Sequence, residues 1–277
     1  MAELAVIGVI FFGSSIAWMI LGSVNADRTE DQTSGLSQRV QNFYGGPLII
    51  TPPRVYYERA KDRKLYVAGV ETVSSIIVRE TVDPFNSNVT IDLSLDRKRV
   101  GNLWFPVFLA TYRGHYTYDI EAIPQEFRSG PLFLVPGLNS SESILRGIEL
   151  KINDAVVRPL AKLVSSAAID LDPMQYVDGK LVVAFRYETT GTQHLLYQLS
   201  NPGQRRTLGE RDGRSNAVEQ ERLTRLDNFN LKLTTNFVRY AFPERTIPYT
   251  TLRQDGGRSV FEWLFDQTVT GKNIGLV

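Results

Sequence analysis

His115 and His194 are the only imidazoles the chain offers for acid–base or metal chemistry. Neither has a histidine or carboxylate at a metal-ligand spacing, so neither predicts a metal centre. The chain has no cysteine. Thiolate zinc sites, cysteine-ligated iron–sulfur clusters, disulfide scaffolds and cysteine nucleophiles are therefore excluded. Asp170-Leu171-Asp172 sets two carboxylates on one side of an extended segment, where they could bind calcium or serve as an acid/base pair. Calcium takes six or more oxygens, and glycosidase carboxylates converge from separate elements, so the motif alone predicts solvent-facing aspartates ahead of Pro173. No nucleophile elbow, Walker A loop, dinucleotide fingerprint or H-E-x-x-H pair occurs. The expectation is a non-enzymatic protein without a cofactor or metal.

The charge balance points the same way. Among 277 residues, 31 Lys and Arg face 30 Asp and Glu, for a formal net charge of +1. Phosphate recognition needs a concentrated basic surface, so nucleic acid is not an expected partner. A composition 43% hydrophobic and 22% charged excludes a wholly disordered chain and a polytopic membrane protein.

The N-terminus is more specific. Leu4 to Asn25 contains no charge and no proline. At about 1.5 Å per residue such a helix reaches about 33 Å, enough to cross a hydrocarbon core. A cleaved secretory signal is the competing reading, with Ser23 and Ala26 as small residues near a cleavage point. No Lys or Arg precedes the run, and the run is long for a signal, which favours a retained anchor over residues 1–26. Arg28 and Arg39 follow the span, so the positive-inside count leans toward a cytoplasmic C-terminus. Within the span, Gly13 and Ala17 form a small-xxx-small pair with Ser14 beside them, a surface on which another helix can pack closely. Trp18 lies inside the span rather than at its edge, as suits packing against protein. The bilayer and other integral membrane proteins, of a photosynthetic, respiratory or transport complex, are the partners this predicts.

Residues 27–46 read as a juxtamembrane helix and linker, with Leu36 and Val40 at i,i+4 spacing and a break at Gly45-Gly46-Pro47. Beyond it the pattern changes to period two. Val89, Ile91, Leu93 and Leu95 alternate with polar residues, as do Tyr116, Tyr118 and Ile120. Leu181 to Tyr187 and Phe229 to Thr235 repeat the alternation. Turn signals fall at Asp83-Pro84, Arg113-Gly114, Asp178-Gly179, Thr190-Gly191 and Gly256-Gly257. The fold class expected is mainly β: one N-terminal transmembrane helix, then an antiparallel, sandwich-like ectodomain over 47–277. Short helices are expected near Ser141–Arg146 and Asn216–Leu226.

A polar excursion over 200–226 interrupts the strands. Its Arg205, Arg206, Arg211 and Arg214 form a candidate docking surface for acidic lipid or a partner, although Glu210, Asp212, Glu219 and Glu221 offset much of that charge. Tyr56-Tyr57, Trp104-Phe105, Tyr116/Tyr118 and Trp263-Leu264-Phe265 are aromatic groups of the kind interfaces use. Asn88-Val89-Thr90 and Asn139-Ser140-Ser141 match the glycosylation sequon.

The order of segments resembles a known family. The apolar run followed by Asp27-Arg28-Thr29, then Gly45-Gly46-Pro47 and Leu48-Ile49-Ile50, is similar to the opening of the inner-membrane CreD family. Ser143 to Ile148 followed by Leu150 to Asn153 resembles that family's R-G-I segment. Phe185 to Leu199, with Thr190-Gly191-Thr192-Gln193, resembles its G-T-x-x-L strand. Members are associated with cell-envelope integrity and colicin tolerance, and combine an N-terminal anchor, a periplasmic β-rich domain and a C-terminal membrane bundle. The resemblance thus implies an inner-membrane protein whose domain after Asn25 is periplasmic, against the charge count, and the single apolar stretch makes the expected protein single-pass. It implies no enzymatic residues. No second hydrophobic stretch occurs before Val277, so the expectation is the anchor and periplasmic domain without the bundle.

Three functions follow as expectations. One is a single-span accessory or scaffold subunit that grips its partners through helix and β-domain. A second is a CreD-like role in envelope integrity or stress tolerance. The third, a membrane-tethered periplasmic hydrolase, would need carboxylates converging in a cleft.

Overall fold

A computed structural model describes residues 2–67, 70–128, 130–138, 144–158, 168–171, 178–199 and 223–277. Helix α1 runs without interruption from Ala2 to Tyr44. It stops where the sequence demands. Gly45 takes φ +92° and donates its N–H to Gln41 O at 2.8 Å, a left-handed exit that glycine makes without a Cβ penalty. Val40 is buried and Leu36 half-buried against the body, so the expected i,i+4 pair is what seats the end of the helix.

The remainder is strand. In chain order these are β1 (Pro47–Ile50), β2 (Arg54–Val67), β3 (Val70–Val82), β4 (Asn86–Val100), β5 (Leu103–Asp119), β6 (Leu132–Val135) and β7 (Ile144–Ile152). They continue as β8 (Ala155–Val156), β9 (Ile169–Leu171), β10 (Lys180–Tyr197), β11 (Thr224–Thr235), β12 (Thr251–Asp255), β13 (Arg258–Thr270) and β14 (Ile274–Leu276). A 10-stranded sheet has the order β12-β13-β11-β4-β5-β10-β7-β8, with β1 and β14 added on β10. A 4-stranded sheet, β3-β2-β6-β9, covers one end of its inner face. Val89, Ile91 and Leu93 of β4, Leu181, Val183 and Phe185 of β10, and Val55, Leu132 and Leu134 from the smaller sheet share one core. The period-two alternation read in β4 and β10 is the burial alternation observed.

Strand direction departs from expectation. The large sheet is mixed, because β11 pairs parallel with β4 and β1 pairs parallel with β10. Alternation specifies which face a side chain takes and carries no information on direction. Ile144–Arg146, expected in a helix, belongs to β7, and Thr224–Leu226, also expected in a helix, begins β11. Leu223 is exposed and lies in no regular element, and the rest of those two stretches lies outside the described residues. Asp178-Gly179 and Gly256-Gly257 are turns as expected, Asp83-Pro84 lies in the link between β3 and β4 just ahead of a bend at Phe85, and Arg113-Gly114 sits in mid-strand.

Thr190-Gly191 also lies within a strand, but at a bend. Residues 180–191 of β10 pair with β5, while Leu195 to Tyr197 lie between β1 and β14. Gln193, at φ +70°, re-aims the chain between these two sets of partners. Gly191 is required here for space. A Cβ on it would lie 2.7 Å from Gly46 O and 2.7 Å from Leu48 Cγ. Thr192 N–H donates to Gly46 O at 2.8 Å and its hydroxyl to Gly45 O at 3.1 Å. The Gly45-Gly46-Pro47 and Thr190-Gly191-Thr192 segments are thus one hydrogen-bonded joint. Gly191→Ala forces the backbone of β1 away and is expected to cost about 1–3 kcal/mol, read as a lower urea midpoint. An unchanged midpoint would show that β1 yields without penalty.

Candidate functional site

The first candidate surface is the apolar half of α1. Phe11, Trp18 and Met19 are 73%, 73% and 72% exposed, and Phe12, Ile20 and Leu21 are exposed as well. Gly13, Ser14 and Ala17 are exposed beside Trp18, so all four residues of the predicted packing face are available to a neighbour. Nothing lies within 4 Å of where a Cβ on Gly13 would sit. The hydroxyls on this stretch are satisfied within the helix. Ser14 and Ser15 donate to Phe11 O at 2.9 and 2.8 Å, and Ser23 donates to Ile20 O at 2.9 Å. The helix therefore presents an apolar surface with its polar groups turned inward. Along α1 side chains are described for residues 11–25 and 34–44, and among the described residues no helix is long and apolar enough to cross a membrane.

The second candidate lies in the body. On the core face of β5, Tyr112, Gly114, Tyr116 and Tyr118 follow one another at period two, all buried. The Tyr112 and Tyr116 hydroxyls bond to each other, and Tyr116 bonds to the Tyr197 hydroxyl at 2.8 Å. Tyr118 donates to Pro53 O at 2.6 Å. Gly114 makes this possible: a Cβ there would sit 2.5 Å from the Tyr112 hydroxyl and 2.6 Å from the Tyr116 ring. Burial pushes the Tyr112, Tyr116, Tyr118, Tyr187 and Tyr197 phenols well above their ordinary value of 10.0.

Tyr116 and Tyr197 also floor a cavity of about 60 Å³, walled by Pro53, Val82, Leu226 and Phe229. That volume is about two waters' worth, so the slot admits a narrow group and offers it a phenolic hydroxyl. Sequence reasoning offered Tyr116 and Tyr118 among aromatic groups of the kind interfaces use, most of them expected in the core, and missed the cluster. The signal was present in the Tyr112-x-Gly-x-Tyr116-x-Tyr118 spacing, but its partner Tyr197 is distant in sequence.

The other residues singled out are dispersed. His115 is exposed on the outer face of β5, in a depression of about 430 Å³ shared with Arg113, Lys151 and Arg186. His194 is half-buried on β10 beyond the bend. Asp170 lies on β9 and Asp172 is outside the described residues, as are Arg205, Arg206, Arg211 and Arg214. A groove of about 650 Å³ gathers Asp83, Asp119, Asp227 and Asp266 with Arg225, which pairs with Asp227 at 2.7 Å. Among the described residues no group of three or more side chains could hold a metal ion. The aromatic clusters divide. Tyr56, Tyr57 and Trp263 are buried, whereas Trp104 is 64% exposed at the β4–β5 hairpin. Tyr57 and Trp263 belong to the core, Tyr56 on the opposite face of its strand is covered by Phe133 and Arg79, and Trp104 lies past the end of the core.

No family model matches the chain, and no curated protein is similar to it.

The buried phenols fix how stability responds to alkali. Their folded-state pKa values exceed the unfolded value of 10.0, so the folded state keeps protons that the unfolded state loses. Stability is full below pH 10 and falls as pH rises above it. Urea midpoints should decline steeply above pH 10, with tyrosinate absorbance developing at unfolding. Tyr116→Phe leaves two buried hydroxyls short of a partner and is expected to cost about 1–3 kcal/mol. A flat alkaline profile, or early titration of all phenols in the folded protein, contradicts the cluster's burial.

Proposed function

We propose that this chain is a membrane-tethered, non-enzymatic accessory subunit, in which the apolar part of α1 is retained in lipid and the β-domain is held outside it. The observation that carries the proposal is the exposed apolar surface of Phe11 to Leu21. In water a surface of this kind is costly, at about 25 cal/mol per Å². In a bilayer it is the ordinary exterior of a span, and the uncharged sequence from Leu4 to Asn25 is long enough to serve as one. The small residues Gly13 and Ala17 then offer a neighbouring span close approach, and partners are integral membrane proteins.

A CreD-like role in the envelope is the second reading. It is favoured by the joint between Gly45-Gly46-Pro47 and Thr190-Gly191-Thr192, two of the segments that carry the resemblance, since they meet as one structural unit. It places the β-domain in the periplasm of an inner-membrane protein.

In flotation and alkaline-carbonate extraction the full chain is expected to stay with the membrane. Ile16→Asp, which sets a charge in the span at a cost of about 2.5–3.5 kcal/mol, should shift part of it to the soluble fraction. Mild-detergent extraction followed by native sizing should show it co-migrating with other membrane proteins. Recovery of the unsubstituted chain in the carbonate supernatant overturns the tether, and migration as an isolated monomer overturns the subunit role.

A further inference from the structure

The β4–β5 hairpin ends in a turn at Gly101 and Asn102 whose surroundings differ from the rest of the body. Leu103 and Trp104 are exposed there, at 41% and 64%. Arg97 and Arg99 are exposed and Lys98 is partly so. The turn is stiff: Gly101 takes φ +62° and its carbonyl accepts from Arg99 Nε at 3.0 Å. Asp96 neutralises Lys98 at 2.6 Å, and Arg97 has no ion pair among the described residues. The tip therefore combines an aromatic ring, a leucine and a surplus of positive charge.

Its placement supplies the partner. Farther up the hairpin Phe108 pairs with Gly191, which packs on Gly46 at the end of α1. Lys98 lies within electrostatic reach of Tyr44, and at the turn a Cβ on Gly101 would sit 3.9 Å from Leu36 Cδ2. The hairpin thus runs beside the last turns of α1 and back toward the apolar end of that helix. Eleven residues separate Leu36 from Asn25, about 16 Å of helix, and the headgroup layer occupies about 5–8 Å of it. The remaining gap is close to the Debye length of about 8 Å at physiological salt, so the basic tip stands within reach of lipid phosphates. In sequence the intervening stretch carries Asp27, Glu30 and Asp31 against Arg28, so the tip supplies positive charge that this stretch does not.

We propose that the tip formed by Arg97, Arg99, Leu103 and Trp104 is a second membrane contact, docking on the phosphate surface of an anionic bilayer while α1 anchors the chain. This rests on the tether proposed above. A tilt of α1 that closes this gap brings Trp104 and Leu103 to the headgroup level and the arginines to its phosphates, so the contact fixes the tilt of the β-domain over the membrane.

The absence of native cysteine makes the test clean, because Asn102→Cys gives one labelling position in the full chain. The labelled protein carries an environment-sensitive fluorophore and is reconstituted into vesicles of phosphatidylglycerol or of phosphatidylcholine, with flotation recorded in parallel. Expected are flotation with both lipids, and a blue shift with protection from an aqueous quencher in phosphatidylglycerol alone. High salt, applied to the otherwise unsubstituted tip, should reverse the shift, as should Arg97→Glu with Arg99→Glu. Flotation with both lipids but identical, water-like emission in each overturns the tip contact and leaves the tether standing. Failure to float with either lipid overturns the tether and this inference together.

Discussion

Strand β10 has to satisfy two sets of partners with one backbone, and the rest of the body is arranged around that requirement. Its first two-thirds fill the middle of the large sheet between β5 and β7, and its last residues are gripped by β1 and β14. A strand can do both only by turning sharply without leaving polar backbone groups unpaired. Gly191 permits the close approach, Gln193 takes the left-handed conformation, and Thr192 returns its N–H and hydroxyl to the chain leaving α1. The end of the helix is in this way tied to the centre of the β-domain, and helix and body share a fixed geometry rather than a loose tether.

The core beneath this joint is unusually rich in tyrosine. Phenol rings fill volume as phenylalanine does, but each buried hydroxyl needs a partner. Tyr112, Tyr116 and Tyr197 meet that need among themselves, and Tyr118 meets it at Pro53, which lies on the link between β1 and β2. Hydroxyl pairing is directional where apolar packing is not. The cluster therefore does more than fill space: it specifies how β5, β10 and the β1–β2 link register against one another.

Much of this was legible in sequence. The period-two runs at Val89–Leu95, Leu181–Tyr187 and Phe229–Thr235 gave strands and their buried faces, because a half-buried strand imposes that alternation on its residues. Gly45-Gly46-Pro47 gave the end of α1, since few sequences stop a helix so unambiguously. Strand direction was not legible: β11 lies parallel to β4 although more than a hundred residues separate them, and nothing local to either strand records it. Arg113-Gly114 read as a turn because glycine beside a charged residue usually marks one. Here the glycine clears room for two tyrosine rings, a demand set by residues across the strand. Trp104 and Tyr56 looked alike in sequence and part company in space, because exposure of an aromatic residue depends on what lies over it. The candidate surfaces on α1 were legible for the simplest reason, a long absence of charge. The hairpin tip was not, because its meaning depends on a neighbour, Leu36, that precedes it by more than sixty positions.

The meeting of β1 and β14 on the same end of β10 has a consequence for biogenesis. The end of β10 takes β1, the strand next to the helix, on one side and β14 on the other. During synthesis at about 5–20 residues per second, β1 waits for more than a hundred residues to emerge before the end of β10 appears, and that end waits for more than seventy more before β14 does. Contacts of such long sequence separation form slowly. A nascent chain in this condition keeps an open strand edge, and loss of β14 would leave the end of β10 paired on one side only.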